Sequence, residues 1–349
     1  MPAPYAASAQ ILGIDFNWAT HKRQAPGSDN WPITWADDGH QYSHWGDGGG
    51  FLGTNDVGRV SFGVARIEGV GSSYVGINRY GGLNGEFASS LDGKTYGIVS
   101  IGGVLYCWFC PLSDVNGYAS ATLYKSLDHS QSWTATSTQF TQAQGVGIPT
   151  ICQFGQGYAG ARDGYVYHYF LNLTDTAALG IQTGGQIVLA RCLIADLETV
   201  ATYEWYSGAG PTWSTNIAAR VPVFTDPNGV GWNLSVSYNA GLGRYLLMTE
   251  HSASFQGKIG IFDAPEPWGP WTTVLYQDAF GVPTITGDTF FWNFANKWNN
   301  GTNFVLVFSG INTNDSWNTV EGSFVVDSNG PPVTRSSGDL TRRQFGRLI

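Results

Sequence analysis

LSVSYNAGLGRYLLMTE, residues 234–250, contains the repeating unit of the whole chain. Leu234, Val236 and Tyr238 alternate with serines, the period of a half-buried strand. Asn239 to Gly243 break the pattern with turn residues. The apolar run Tyr245–Met248 then reads as a buried return strand. The same unit of strand, short turn and aromatic-rich strand occurs four more times. It appears as ITWADDGHQYSHWGD from Ile33, GIVSIGGVLYCWF from Gly97, TICQFGQGYAGA from Thr150 and FANKWNNGTNFVLVFSG from Phe294. The turns fall near residues 38, 103, 156, 241 and 300, spaced about 65, 53, 85 and 59 apart. Each interval holds further strand patterns and no helical periodicity.

Five units of roughly 70 residues, each a small antiparallel sheet, predict an all-β five-bladed β-propeller. It forms one domain over residues 1–335, with blades at roughly 11–90, 91–145, 146–218, 219–280 and 281–335. Residues 336–349 lose the strand pattern and read as a C-terminal tail. The early strand ILGIDF (11–16) is expected to close the ring against the last blade. Ser126-Leu-Asp128-His-Ser-Gln-Ser-Trp133 follows the S-x-D-x-G-x-S/T-W Asp-box pattern, with Ser130 in place of Gly. That motif speaks for fold and not for chemistry.

Composition narrows the function. Seventeen basic against 26 acidic residues leave a net charge of −9, and no basic cluster exists to neutralise phosphates. Nucleic acid is therefore excluded as a partner. No apolar run approaches a membrane span. The N-terminus lacks a basic segment followed by an apolar one, so no signal peptide is read there. Few Lys and abundant Asn, Thr, Gly and Trp favour an extracellular or envelope-associated place, or one in a phage particle. Fourteen Trp suit both a sheet core and stacking on sugar rings. Cys107 and Cys110 sit three apart on one strand and point to opposite faces, which opposes a disulfide or zinc pair. Cys152 and Cys192 lie in apolar runs and read, like them, as buried thiols. Gly48-x-Gly50-x-x-Gly53 matches a dinucleotide fingerprint but opens no helix, so it reads as a mouth loop. No cofactor and no metal centre is expected, although a propeller channel has room for a structural calcium or sodium ion.

A glycoside hydrolase needs two carboxyl groups, one ionised and one protonated. Most acidic residues here fall in turns or on the surface, which leaves five to weigh. Asp29 in GSDNWP precedes the first hairpin, where it either caps a strand entry or works at the mouth. Asp163 in GARDGYVY adjoins Arg162 and also fits a plain Asp-Gly turn. Glu250 ends an apolar strand beside His251. Asp47 lies between glycines, and Asp315 in GINTNDSWN also fits an Asx turn. His44, Trp45, Trp292 and Trp317 are candidates for sugar contacts, with Asp47, Arg162, His251 and Asp315.

The order Asp29, Arg162-Asp163, Glu250 resembles that of five-bladed propeller glycosidases, which include arabinanases and fructan hydrolases. DNWPITWADDGHQYSHWGDGGGF, GARDGYVY, VSYNAGLGRYLLM, APEPWGPWT and KWNN…LVFSG…NDSW more closely resemble a bacterial propeller family of formerly unknown function that includes endo-D-arabinanases. The resemblance runs from about Gly27 to about Val326. It implies an endo-acting hydrolase of arabinofuranosyl links, with Asp29 as base or nucleophile, Glu250 as acid and Asp163 gripping hydroxyls. Gly164 stands where the fructan enzymes have Pro, and His251 follows the acid. The other reading is a non-catalytic glycan-binding propeller of a phage particle or cell surface. Oligomeric state is not legible in the sequence.

Overall fold

The computed structural model describes residues 1–327 except 113–117, 176–179 and 300; the tail at 336–349 lies outside them. The described residues form five antiparallel sheets around a central axis, a five-bladed β-propeller. The innermost strands are Asp29–Trp35, Gly93–Ile101, Thr150–Ile151, Ser235–Asn239 and Thr289–Phe294. Four sheets have four strands. The third adds strands at its outer edge, and Pro222–Asp226 pairs there with Gly185–Leu193. The third blade thus runs past residue 218, its expected end, because that segment fills an open sheet edge.

Ile11–Gln24 pairs with Trp317–Val326, placing Ile11 opposite Val326 and Gln24 opposite Trp317. The ring therefore closes on the last blade, as the sequence led us to expect. This strand belongs to blade five and not to blade one. Closure leaves short, protected edges in place of a long template for aggregation.

Each innermost strand enters from one end of the ring, here called the mouth, and its partner returns there. Asp29 lies opposite Gly46, Ser235 opposite Met248, and Thr289 opposite Gly310. The hairpin turns gather at the far end. There Gln156 donates to the Asp37 carbonyl at 2.9 Å, and Lys297 to the Gly39 carbonyl at 2.7 Å. In the 234–250 hairpin, Asn239 accepts from the Leu242 N–H. Its amide donates to Asn299 and to the Gly301 carbonyl, which ties blade four to blade five. Asp128 accepts from the backbone N–H groups of Gln131 and Ser132, and Trp133 packs edge-on against Phe62 of blade one. The four cysteines are buried and form no disulfide among the described residues. Aromatic packing fills the spaces between blades, with Trp31, Trp45 and Trp317 forming one fully buried group.

Candidate active site

Asp29 opens the innermost strand of blade one on an unusual backbone. Asn30 and Trp31 have φ of +75° and +77°, and the ladder shifts register between Asn30 and Ile33. Two successive left-handed non-glycine residues are costly and persist only where their surroundings hold them. Trp31 is fixed by its indole N–H on the Ser28 carbonyl and by packing on Trp45, Phe51 and Trp317. The irregular turn leaves Asp29 at the mouth, half-buried, with the Asn30 amide donating to it at 3.1 Å.

A charged constellation surrounds it. Lys94, the second residue of blade two's innermost strand, is nearly buried, and its Nζ lies 2.6 Å from Asp47 Oδ1. Arg59 reaches the same oxygen at 3.3 Å. Burial pushes the Asp29 carboxyl up to about 7; Lys94 and Arg59 oppose the rise, while Asp47 and Asp315 add to it. Asp315 is also raised, by burial first and then by Asp47. Its backbone carbonyl accepts from the Gly27 N–H at 2.7 Å, so blade five's loop is tied to the segment entering blade one. Three carboxyls and two cations thus share the mouth. Such like-charge crowding favours one proton being held at neutral pH.

An aromatic floor adjoins these charges. Tyr96 follows Lys94 by two residues and feels the charge of Asp29. It packs edge-on against Trp232 at 4.6 Å and near Tyr118 and Phe291. Trp232 continues to Phe255 and Phe290. A cleft between blades two, three and four opens from this floor.

Glu250 ends the strand Arg244–Glu250 but is fully buried. Burial pushes its carboxyl up to about 8, against the backbone N–H groups of Phe255 and Gln256 and the nearby Asn233 amide. Oε1 accepts from the Phe255 N–H, while Oε2 has no hydrogen-bond partner among the described residues. A Cβ on Gly231 would lie 2.9 Å from the Glu250 Cβ, so glycine lets that segment cover it. Glu250 therefore sits at the mouth end of its strand, covered by the segments at Gly231 and Phe255.

The other sequence candidates are placed as follows. Asp163 stands at the far end, before Tyr165–Asn172. Its carboxylate accepts from the Tyr165 N–H at 3.0 Å and the Tyr167 hydroxyl at 2.6 Å. Arg162 pairs there with Glu266 of blade four. Asp29 and Asp163 thus lie at opposite ends, because the connection holding Asp163 follows an innermost strand instead of preceding one. Trp45, Trp292 and Trp317 are core residues. The Trp45 and Trp317 indoles donate to the Gly48 carbonyl and the Tyr74 hydroxyl, respectively. His44 is buried against Phe62, and burial lowers its pKa well below the usual histidine range. His251 stacks on Tyr276 at 4.0 Å and bonds the Gln277 carbonyl, away from the charged group. Asp47 and Asp315 join Asp29. Lys94, Arg59, Tyr96, Tyr118 and Trp232 escaped the sequence reading; a lone lysine in the otherwise uncharged strand GKTYGIVSI was the available signal.

Fold and mouth together define a five-bladed propeller with a carboxylate-lined opening. The chain belongs to the family described as domain of unknown function DUF4185, which matches residues 96–290. No curated protein matches it. Among solved structures, it is similar to a putative hydrolase from Bacteroides ovatus at 12% identity and a TM-score of 0.54, over 91% of this chain and 87% of that one. It is also similar to the catalytic domain of the Coprinopsis cinerea GH62 α-L-arabinofuranosidase, with 11% identity, a TM-score of 0.48 and coverage of 92% and 96%. At these identities the likeness concerns the fold alone.

Proposed function

We propose that this protein hydrolyses glycosidic bonds of a polysaccharide at the propeller mouth, with Asp29 and Asp47 as the carboxyl pair. The observation that supports this is the sharing of Lys94 by two carboxyls in unlike surroundings. Asp47 sits between Lys94 and Arg59, which suits an ionised nucleophile. Asp29, raised to about 7, retains a proton for the leaving oxygen. Asp315 adds negative charge that favours this proton. Asp29 lies directly across the ladder from Gly46, the residue before Asp47. The burial of Glu250 argues against its earlier reading as the acid, and the far-end position of Asp163 against its gripping substrate.

The substrate read from the sequence resemblance is an arabinan-type polymer, entered internally from the open face. The test is reducing-sugar release from arabinan and from bacterial envelope glycans by the wild type, Asp29→Asn and Asp47→Asn. Each variant is expected to lose roughly 10²–10⁴-fold. Glycan binding with no release by the wild type would favour the non-catalytic module instead.

A further inference from the structure

The cleft beside the mouth has a chemistry of its own. Its walls are Tyr96, Tyr118, Ile148, Leu171, Leu173 and Trp232, with Gln142 and Gln182 among the polar groups. The Gln182 oxygen already accepts from the Thr174 N–H, the Thr174 hydroxyl and the Asp175 N–H, at 2.8, 3.0 and 3.1 Å. Its amide nitrogen is directed at Asp175. The Tyr96 and Tyr118 hydroxyls bond each other. The polar capacity of Gln182 and of the tyrosine pair is therefore largely spent, which leaves the Gln142 amide as the main polar side chain of the lining. A sugar ring placed there would leave several hydroxyls without partners, at a cost of about 1–3 kcal/mol each. An alkyl or acyl chain has no such groups, and the aliphatic side chains opposite the aromatic rings give it apolar surface to cover. Tyr96 lines the cleft and lies two residues after Lys94 on the same strand, so the cleft adjoins the carboxylate site.

We propose that this cleft is a subsite for a short apolar substituent, an acyl or alkyl group carried by the glycan that lies across the mouth. The proposal rests on the hydrolase reading only for the identity of the carrier; the cleft's preference for apolar groups is independent of it. Octyl β-D-glucopyranoside and methyl β-D-glucopyranoside differ only in that group. Their binding is measured by tryptophan fluorescence, below the micelle concentration, for the wild type, Asp29→Asn, Leu173→Gln and Tyr118→Ala. Thermal melting checks that each variant folds. Octyl glucoside is expected to bind at least tenfold tighter than methyl glucoside to the wild type and to Asp29→Asn. Leu173→Gln and Tyr118→Ala should each remove most of that difference. Equal affinity for the two glucosides, or an octyl preference unchanged in both cleft variants, overturns the proposal. An octyl preference in a protein that releases no sugar from any glycan leaves the subsite standing while the hydrolase reading falls.

Discussion

Asp29 and Glu250 are both raised carboxyls, yet one bears on activity and the other on stability. If Asp29 supplies the proton, kcat/KM declines as pH rises through about 7, where the acid form disappears. A rise through the same pH would give Asp29 the role of base. The pH profile of arabinan hydrolysis decides between them. Glu250 acts on stability. Its folded pKa of about 8 exceeds the ordinary 4.5, so the native state binds a proton that the unfolded chain releases between those values. Stability is therefore full below pH 4.5 and declines toward pH 8, by on the order of 4 kcal/mol. Glu250→Gln should flatten that decline, raising the urea midpoint at pH 9 relative to the wild type while changing it little at pH 5. Asp29, Asp47 and Asp315 were legible in the sequence because acidic residues beside Gly, Trp and Asn stand out in an apolar chain. Trp45, Trp292 and Trp317 were misjudged because alternation says that a strand has two faces, without saying which one meets a neighbouring blade. Glu250 reads as a strand end, and only the cover from Gly231 and Phe255 shows that it is buried.

Strand direction separates the two aspartates that sequence order had joined. Arg162-Asp163-Gly164 reproduces the local spelling of a catalytic motif, but it initiates a second strand, so it faces the end where the hairpin turns meet. Asp163→Asn is expected to keep sugar release within about twofold of the wild type. It should cost about 1–2 kcal/mol in a denaturant melt, by weakening the bonds to Tyr165 and Tyr167. Asn239→Ala belongs to the same scale. It removes the turn bond to Leu242 and two bonds to blade five, and should lower stability by about 2–3 kcal/mol with activity intact. The hairpins were readable because Gly, Asn and Asp interrupt period-two patterns at similar places. The extra strand Pro222–Asp226 was not, since its pairing depends on an edge left free by a distant segment.

Over the whole molecule, five repeats specify the ring, and its uniform strand direction puts the start of every innermost strand at one opening. Asp47 acting as nucleophile predicts retention: proton NMR of the first product formed should show the anomer of the substrate, and appearance of the opposite anomer first would remove Asp47 from that role. The pairing of Ile11 with Val326 bears on biosynthesis. The first strand of the propeller to be synthesised must wait for its last before it finds its partner. Until then, Trp317–Val326 and the segment that precedes blade one remain separate, and the nascent chain presents two unpaired sheet edges. Fragments ended by premature stops would retain them, and such edges invite association with other chains. A single late pairing thus sets how long the protein is vulnerable during its own synthesis.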